Sequence, residues 1–267
     1  MHGTDTFTLQ SLSFAGATSR WRTEAMRSHS TARLIHVSKG QGRMTVAGLT
    51  TGYGPNNLIY IPAGTMYGMD VGPSVFGQVL TLPDTTGWPA ERFHLRLRDV
   101  DPQREVIGLL ENIERELKPS GDIRAARCYL GLLTIFIERQ LGATVEPSEN
   151  DRSDTAAARL VARYTNLVGR EFKTGQNVAD YAARLNVTPT HLTRSCRKTC
   201  GHSASQLLRD RIHFAACTML KDTQTPVSRI AADLGFRSAA YFTRSFQEKA
   251  GLTPSAFRRM QGQSAVR

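Results

Sequence analysis

Arg244 is the side chain in this sequence best placed for specific recognition chemistry. Ala239, Ala240 and Thr243 precede it and Gln247 follows, while Phe242 and Phe246 stand four residues apart among them. On a helix, the two phenylalanines share one side, and the small, hydroxyl, amide and guanidinium groups share the other. Such an outer face can present paired donors to the planar edges of bases, with small residues letting the helix approach closely. A single segment of this kind would look the same as a solvated surface helix.

The pattern occurs twice. Thr190, His191, Thr193, Arg194 and Arg197 form an equivalent outer set, with Leu192 and Cys196 inward. Leu192-Thr193-Arg194-Ser195 lies 50 residues before Phe242-Thr243-Arg244-Ser245, and Gly201 lies 50 before Gly251. Upstream of these segments the offset is 49: Val178, Ala182 and Leu185 answer Val227, Ala231 and Leu234. Asn186 takes the place of Gly235, and both residue types tolerate positive φ. The one-residue change of register places a turn of different length between two short helices in each repeat.

These elements must hold the two arginines. Ala231 is small enough for a close helix crossing, Gly235 can supply the left-handed turn, and Ser238 is a good N-cap for the helix carrying Arg244. Between the repeats, Ser203 to Leu220 reads as one helix with Leu207, Leu208, Ile212, Ala215, Ala216 and Met219 along its apolar side. At about 1.5 Å per residue it is roughly 27 Å long. That is enough for one chain to set two reading helices about one DNA turn, near 34 Å, apart.

The residues Ile230-Ala231-Ala232-x-Leu234-Gly235-Phe236-x-Ser238-x-x-Tyr241-Phe242-x-Arg244-x-Phe246, then Gly251-x-Thr253-Pro254-x-x-Phe257-Arg258, resemble the signature of the AraC/XylS family of transcription regulators. The resemblance implies that Arg194 and Arg244, with Thr190, Thr193, Ala239, Ala240 and Thr243, sit on two recognition helices. The first unit departs at Cys196, where the family more often has a bulkier residue. The resemblance also implies double-stranded DNA and RNA polymerase as partners, with activation as the expected mode of regulation.

Charge divides sharply. Residues 156–267 hold 18 Lys and Arg against 6 Asp and Glu, a balance of +12, whereas residues 1–155 hold 16 against 17, a balance of −1. Polyanion attraction therefore belongs to the repeats. Arg197, Lys198, Arg237 and Lys249 are the candidate phosphate contacts, with Ser238 at a helix start. The four cysteines, Cys128, Cys196, Cys200 and Cys217, form no disulfide framework. Cys196 and Cys200 with His202 would suit a metal or thiol switch, but they occupy the slots of Phe246 and Ala250, so packing accounts for them. No cofactor or metal is expected. The start of the chain has no signal-peptide pattern and no run is long and apolar enough to span a bilayer, so a cytoplasmic protein with no membrane contact is expected.

Residues 5 to about 82 lack helical periodicity and read as short antiparallel strands, clearest at 33–38, 43–47, 57–61 and 76–80. Leu34-Ile35-His36-Val37-x-x-Gly40-x-Gly42 and Gly54-Pro55-Asn56-Asn57-Leu58-Ile59-Tyr60-Ile61-Pro62-x-Gly64 resemble the cupin-type sensor domain that many AraC-family regulators carry. Metal-dependent cupin enzymes are known for a His-x-His pair and a third His after the Pro-x-Gly. Here stand a lone His29 and, at the later position, Tyr67, so ligand binding is favoured over metal catalysis. Arg33, His36, Tyr60, Tyr67 and Trp88 are the effector candidates in the barrel mouth, each also explicable as an ordinary barrel or rim side chain.

From Asp101, Val106, Leu109, Leu110, Ile113 and Leu117 form a helical stripe. A second helix from Asp122 to Leu141 adds Ile123, Leu130, Leu133, Ile137 and Leu141, widened by Leu132, Ile135 and Phe136. The extra width suits a homodimer contact, with burial inside one chain as the alternative. Polar residues 143–155 read as a linker.

The expected architecture is α+β with two domains. Residues 1–142 form a cupin-like antiparallel β-barrel with a helical hairpin that binds an effector and dimerises. Residues 156–267 form an all-α tandem helix-turn-helix domain joined by a long helix. A sequence-specific transcription regulator, and not an enzyme, is the expected function. Its rivals are a cupin enzyme with an accessory DNA-binding domain, an effector-independent regulator and a nonspecific architectural DNA binder.

Overall fold

The structure, a computed structural model, describes residues 7–13, 21–143 and 155–263. Of the expected linker, 143–155, residues 144–154 lie outside the described residues.

The N-terminal half is β-rich with two helices. Strands β1 (Thr8–Ser13), β7 (Phe76–Leu82), β2 (Ala32–Lys39), β5 (Asn57–Ile61) and β8 (Phe93–Arg96) form a five-stranded antiparallel sheet in the order β1-β7-β2-β5-β8. Strands β4 (Leu49–Tyr53), β3 (Gly42–Val46) and β6 (Tyr67–Met69) form a separate three-stranded sheet. Helices α1 (Val100–Glu116) and α2 (Ile123–Ala143) follow as a hairpin.

Strand alternation sorts the core into two layers. Leu34, Tyr60, Leu80 and Phe93 lie on the face of the large sheet that packs with Val106, Leu110, Ile113, Leu133, Phe136 and Ile137 of the helices. Ile35, Val37, Ile59 and Ile61, on the other face, pack with Met44, Val46, Tyr67 and Met69 of the small sheet. Because β2 and β5 are covered on both sides, their residues are buried almost continuously rather than in alternation. Among the described residues no closed barrel forms, which corrects the expected architecture. Side-chain packing, rather than backbone pairing, joins the sheets, and β6 is only three residues long.

The C-terminal half is all helical: α3 (Ala156–Glu171), a 3-10 turn (Phe172–Thr174), α4 (Val178–Arg184), α5 (Pro189–Cys200), α6 (Ala204–Asp222), α7 (Val227–Asp233), α8 (Ala239–Ala250) and α9 (Pro254–Gln263). The repeat is exact in register: α4 and α7 are seven residues long at an offset of 49, and α5 and α8 twelve at an offset of 50. The long helix α6 runs 19 residues with a Ser203–Gln206 capping box. Arg258 on α9 donates to the carbonyls of Leu220 (3.2 Å) and Thr225 (2.6 Å), which satisfies the end of α6 and ties α9 to it.

The halves share a packed seam. Trp21 lies 5.7 Å from Phe214 on α6 and 5.9 Å from Phe257 on α9, ring centre to ring centre. Met26 and Met66 join the C-terminal core. At the β3–β4 turn, Gly48 has φ 75 and meets α3 so closely that an added Cβ would stand 2.2 Å from Val161 Cγ1. Thr50 Oγ1 donates to the Cys200 carbonyl at 3.4 Å. A cavity of about 880 Å³ lies along this seam, between the small sheet and helices α6, α8 and α9.

Candidate nucleic-acid interface

Each reading unit is built from a short helix, a left-handed turn and a capped longer helix. In the first, Asn186 takes φ 57 and the Thr188 hydroxyl accepts from the His191 N–H at 3.2 Å. In the second, Gly235 takes φ 79 and the Ser238 hydroxyl accepts from the Tyr241 N–H at 3.4 Å. Both longer helices end on left-handed glycines, Gly201 and Gly251.

The inward and outward sides follow the spacing. Leu192 and Cys196 of α5 are buried, as are Phe242 and Phe246 of α8. Thr190, His191, Arg194, Arg197 and Lys198 are exposed on α5, with Thr193 half-buried. Arg237, Ser238, Ala239, Ala240, Arg244 and Gln247 are exposed around α8, with Thr243 half-buried. Among the described residues, none of Arg194, Arg197, Lys198, Arg237 or Arg244 has an ion-pair partner, so their donors face solvent. Arg184, by contrast, is held by Glu171 and by Gln176 at 3.2 Å.

Lys249, a candidate phosphate contact, pairs with Asp210 at 2.8 Å and lines the seam cavity. Tyr241, next to buried Phe242, is 59% exposed at the start of α8. Its side chain lies 5.9 Å from Phe236 and lengthens the exposed face of α8.

The two units also approach each other closely at a turn. An added Cβ at Gly235 would stand 2.5 Å from the Gly175 nitrogen and 2.6 Å from the Lys173 carbonyl oxygen. The turn of the second unit thus sits directly on the loop that opens the first. No periodicity signals this approach, although glycine at both positions is the residue that permits it.

The five effector candidates do not converge. Tyr60 stacks between Trp88 (5.4 Å) and Phe93 (5.3 Å), and His36 is buried on that same sheet face toward the helices. Burial lowers the His36 pKa. Tyr67 lies on the opposite side, between the sheets, with the Arg27 guanidinium carbon 4.2 Å from its ring centre. Arg33, one residue out of phase with Leu34 and His36, points to that second side. The single mouth expected from the sequence is therefore two separate layers. Cys196 and Cys200 are core residues, and burial pushes the Cys196 thiol up to about 12 and raises Cys200. Burial of that kind keeps thiols inert.

The chain matches known proteins in the same regions. Residues 181–260 match the family described as "Helix-turn-helix domain". The chain is 27% identical over 112 residues to an uncharacterized HTH-type transcriptional regulator, YtdP, of Bacillus subtilis, covering 42% of this chain and 14% of that protein. It is 24% identical over 209 residues to the HTH-type transcriptional activator RhaR of Shigella flexneri, covering 78% and 69%. ToxT from Vibrio cholerae O395 aligns in structure with a TM-score of 0.45 and 11% identity, over 96% of this chain and 97% of that one. The chain spans only 14% and 28% of the length of the first two curated relatives it matches.

Paired units and matched residues together define a helix-turn-helix protein. The helical half that carries this match is joined to a mixed β/α half. These relatives are named as transcription regulators. Among the described residues no helix is long and apolar enough to cross a membrane.

Proposed function

We propose that this protein is a sequence-specific regulator of transcription that reads double-stranded DNA with α5 and α8. The observation that carries the reading is the equivalence of Arg194 and Arg244: both are exposed, unpaired among the described residues, and set on helices of equal length in a repeat of equal register. Arg194 with Thr190, His191 and Thr193 reads one groove, and Arg244 with Ala239, Ala240, Thr243 and Gln247 reads the next. Arg197, Lys198, Arg237 and Ser238 hold phosphates and set the register. Domain limits of 1–142 and 156–267 serve this division of labour.

The N-terminal half, a cupin-related sensor opened into two sheets, senses a small-molecule effector and passes its state to the reading helices through the packed seam. Leu132 and Ile135, 51% and 44% exposed on α2, supply the apolar face of a homodimer. Such a regulator works in the cytoplasm, beside RNA polymerase and as an activator. The test is competition binding at fixed salt: a specific site should bind at least about a thousandfold tighter than random DNA. Equal affinity for both would reject the reading in favour of an architectural binder.

A further inference from the structure

The two reading helices match in length and register but not in chemistry. Ala240, Thr243, Arg244 and Gln247 follow one another at helical spacing along the outer side of α8, and Thr190, Thr193, Arg194 and Arg197 hold the same places on α5. Only the central threonine and arginine are shared. Around them α5 presents hydroxyl, imidazole and charged groups, with Thr190, His191, Arg197 and Lys198 all exposed. The equivalent residues of α8 are Ala240, Tyr241, Gln247 and Glu248, exposed as well. Pro189, which opens α5, gives way to an exposed Ala239.

Charge is shared out unequally in the same way. Helix α5 bears Arg194, Arg197 and Lys198 with no acidic residue. Helix α8 bears Arg244 and Lys249 against Glu248, and Lys249 is taken up by Asp210 at 2.8 Å. Phosphate attraction is therefore weaker along α8, and its binding must draw more on other contacts. The apolar groups there are well held. Tyr241, 59% exposed, has its ring 5.9 Å from that of Phe236, which stands edge-on 5.1 Å from the ring of buried Phe242. A ring supported from within and open to the outside loses little further freedom when a partner covers it. Ala239 and Ala240 lie in the first turn of the Ser238-capped helix, where the backbone can come close to a base edge.

We propose that α8 recognises its block of DNA through the 5-methyl groups of thymines, packed against Ala239, Ala240 and Tyr241, whereas α5 grips its block through polar and charged contacts. The thymine methyl is the apolar feature of the major groove, and alanine and aromatic side chains are its partners there. Cytosine at the same place offers an amino group that the alanines cannot accept, so its burial against them is unfavourable. Gln247 matches the edge of an adenine and Arg244 that of a guanine, which makes the block rich in A·T pairs beside one G·C pair. The inference rests on the proposed function and names the base that one of the two helices selects.

The experiment measures binding of the full chain, by fluorescence anisotropy at fixed salt, to a duplex selected from a random pool, with thymines replaced by deoxyuridine in one block at a time. Deoxyuridine keeps the pairing edge and O4 and lacks only the methyl. The α8 block is the one that Arg244→Ala relaxes. Each methyl removed there should weaken binding about fourfold, as for one buried CH2, while replacements in the α5 block should change affinity less than about twofold. Tyr241→Ala should weaken binding and abolish the penalty for one of these methyls. Tyr241→Phe, which keeps the ring, should restore both. The proposal is overturned if the α8 block holds no thymine, if deoxyuridine there leaves affinity unchanged, or if both blocks respond alike. It is also overturned if Tyr241→Ala keeps every methyl penalty, or if Tyr241→Phe binds as poorly as Tyr241→Ala, which would assign the contact to the hydroxyl. The deoxyuridine series uses the parent protein, so it decides the proposal even where a variant folds badly. Sequence-specific binding that ignores the methyls overturns this proposal alone, whereas failure to select any sequence overturns the proposed function and this proposal with it.

Discussion

Replacing Gly235 with asparagine isolates the close approach between the turn of the second unit and the loop that opens the first. Asn186 occupies the equivalent turn position at φ 57, so the left-handed backbone alone does not demand glycine. What differs at Gly235 is the neighbour: backbone atoms of Gly175 and Lys173, 2.5 and 2.6 Å from an added Cβ, rather than a side chain that can swing away. Overpacking of this kind costs about 1–3 kcal/mol. Gly235→Asn should lose about that much stability, and Gly235→Ala about 1–2 kcal/mol more, because alanine tolerates the left-handed region poorly. Asn186→Gly, at an exposed turn, should stay within about 1 kcal/mol of the parent. Urea unfolding followed by circular dichroism measures all three, with an unchanged m-value as the check that only stability moved. Displacing one turn from the other should also weaken binding to a two-part DNA site more than to either part alone. A Gly235→Asn protein within about 0.5 kcal/mol of the parent would refute the steric argument.

Other outcomes follow from the same geometry. Burial holds His213 near pKa 4, helped by Lys249, and His29 near 3, against an ordinary 6.5. The unfolded chain therefore takes up protons that the folded one refuses. Stability is full above about pH 6.5 and falls with pH toward 4, by up to about 1.4 kcal/mol per unit for each histidine. His213→Gln should flatten that slope in unfolding measured from pH 7 to 4. Leu132→Glu with Ile135→Glu should convert a dimer to monomers in sedimentation without lowering the thermal midpoint of the monomer, since both side chains are exposed in one chain. Arg197→Ala should reduce the slope of log K against log salt by about 1 for every sequence alike, as a phosphate contact does. A sequence-dependent loss would move Arg197 to the base-reading set.

The helical half was largely legible because its determinants are local. Val227, Ile230, Ala231 and Leu234 mark one buried stripe, Phe242 and Phe246 the next, and the 49-to-50 register step is the extra turn residue between α7 and α8. Long-range facts were not legible. Strand alternation puts Leu34 and Arg33 on opposite faces but cannot say that one face meets helices and the other a second sheet. The effector candidates therefore split, and Trp88 joined Tyr60 through a stacking contact no spacing announces. Arg211 did leave a signal: it stands four residues after Leu207 and three after Leu208, a cation on an apolar stripe, where burial follows. The seam, made of Trp21, Met26, Gly48 and Met66 against α3, α6 and α9, depends on contacts between distant segments and left none.

Selection of bound sequences from a random DNA pool tests the central claim most directly, carried out with the parent, Arg194→Ala and Arg244→Ala. The parent should yield two short conserved blocks about one helical turn apart, and each variant should relax one block only, at a cost of about 1–3 kcal/mol. A single block, or the same block pattern in all three proteins, would contradict the account.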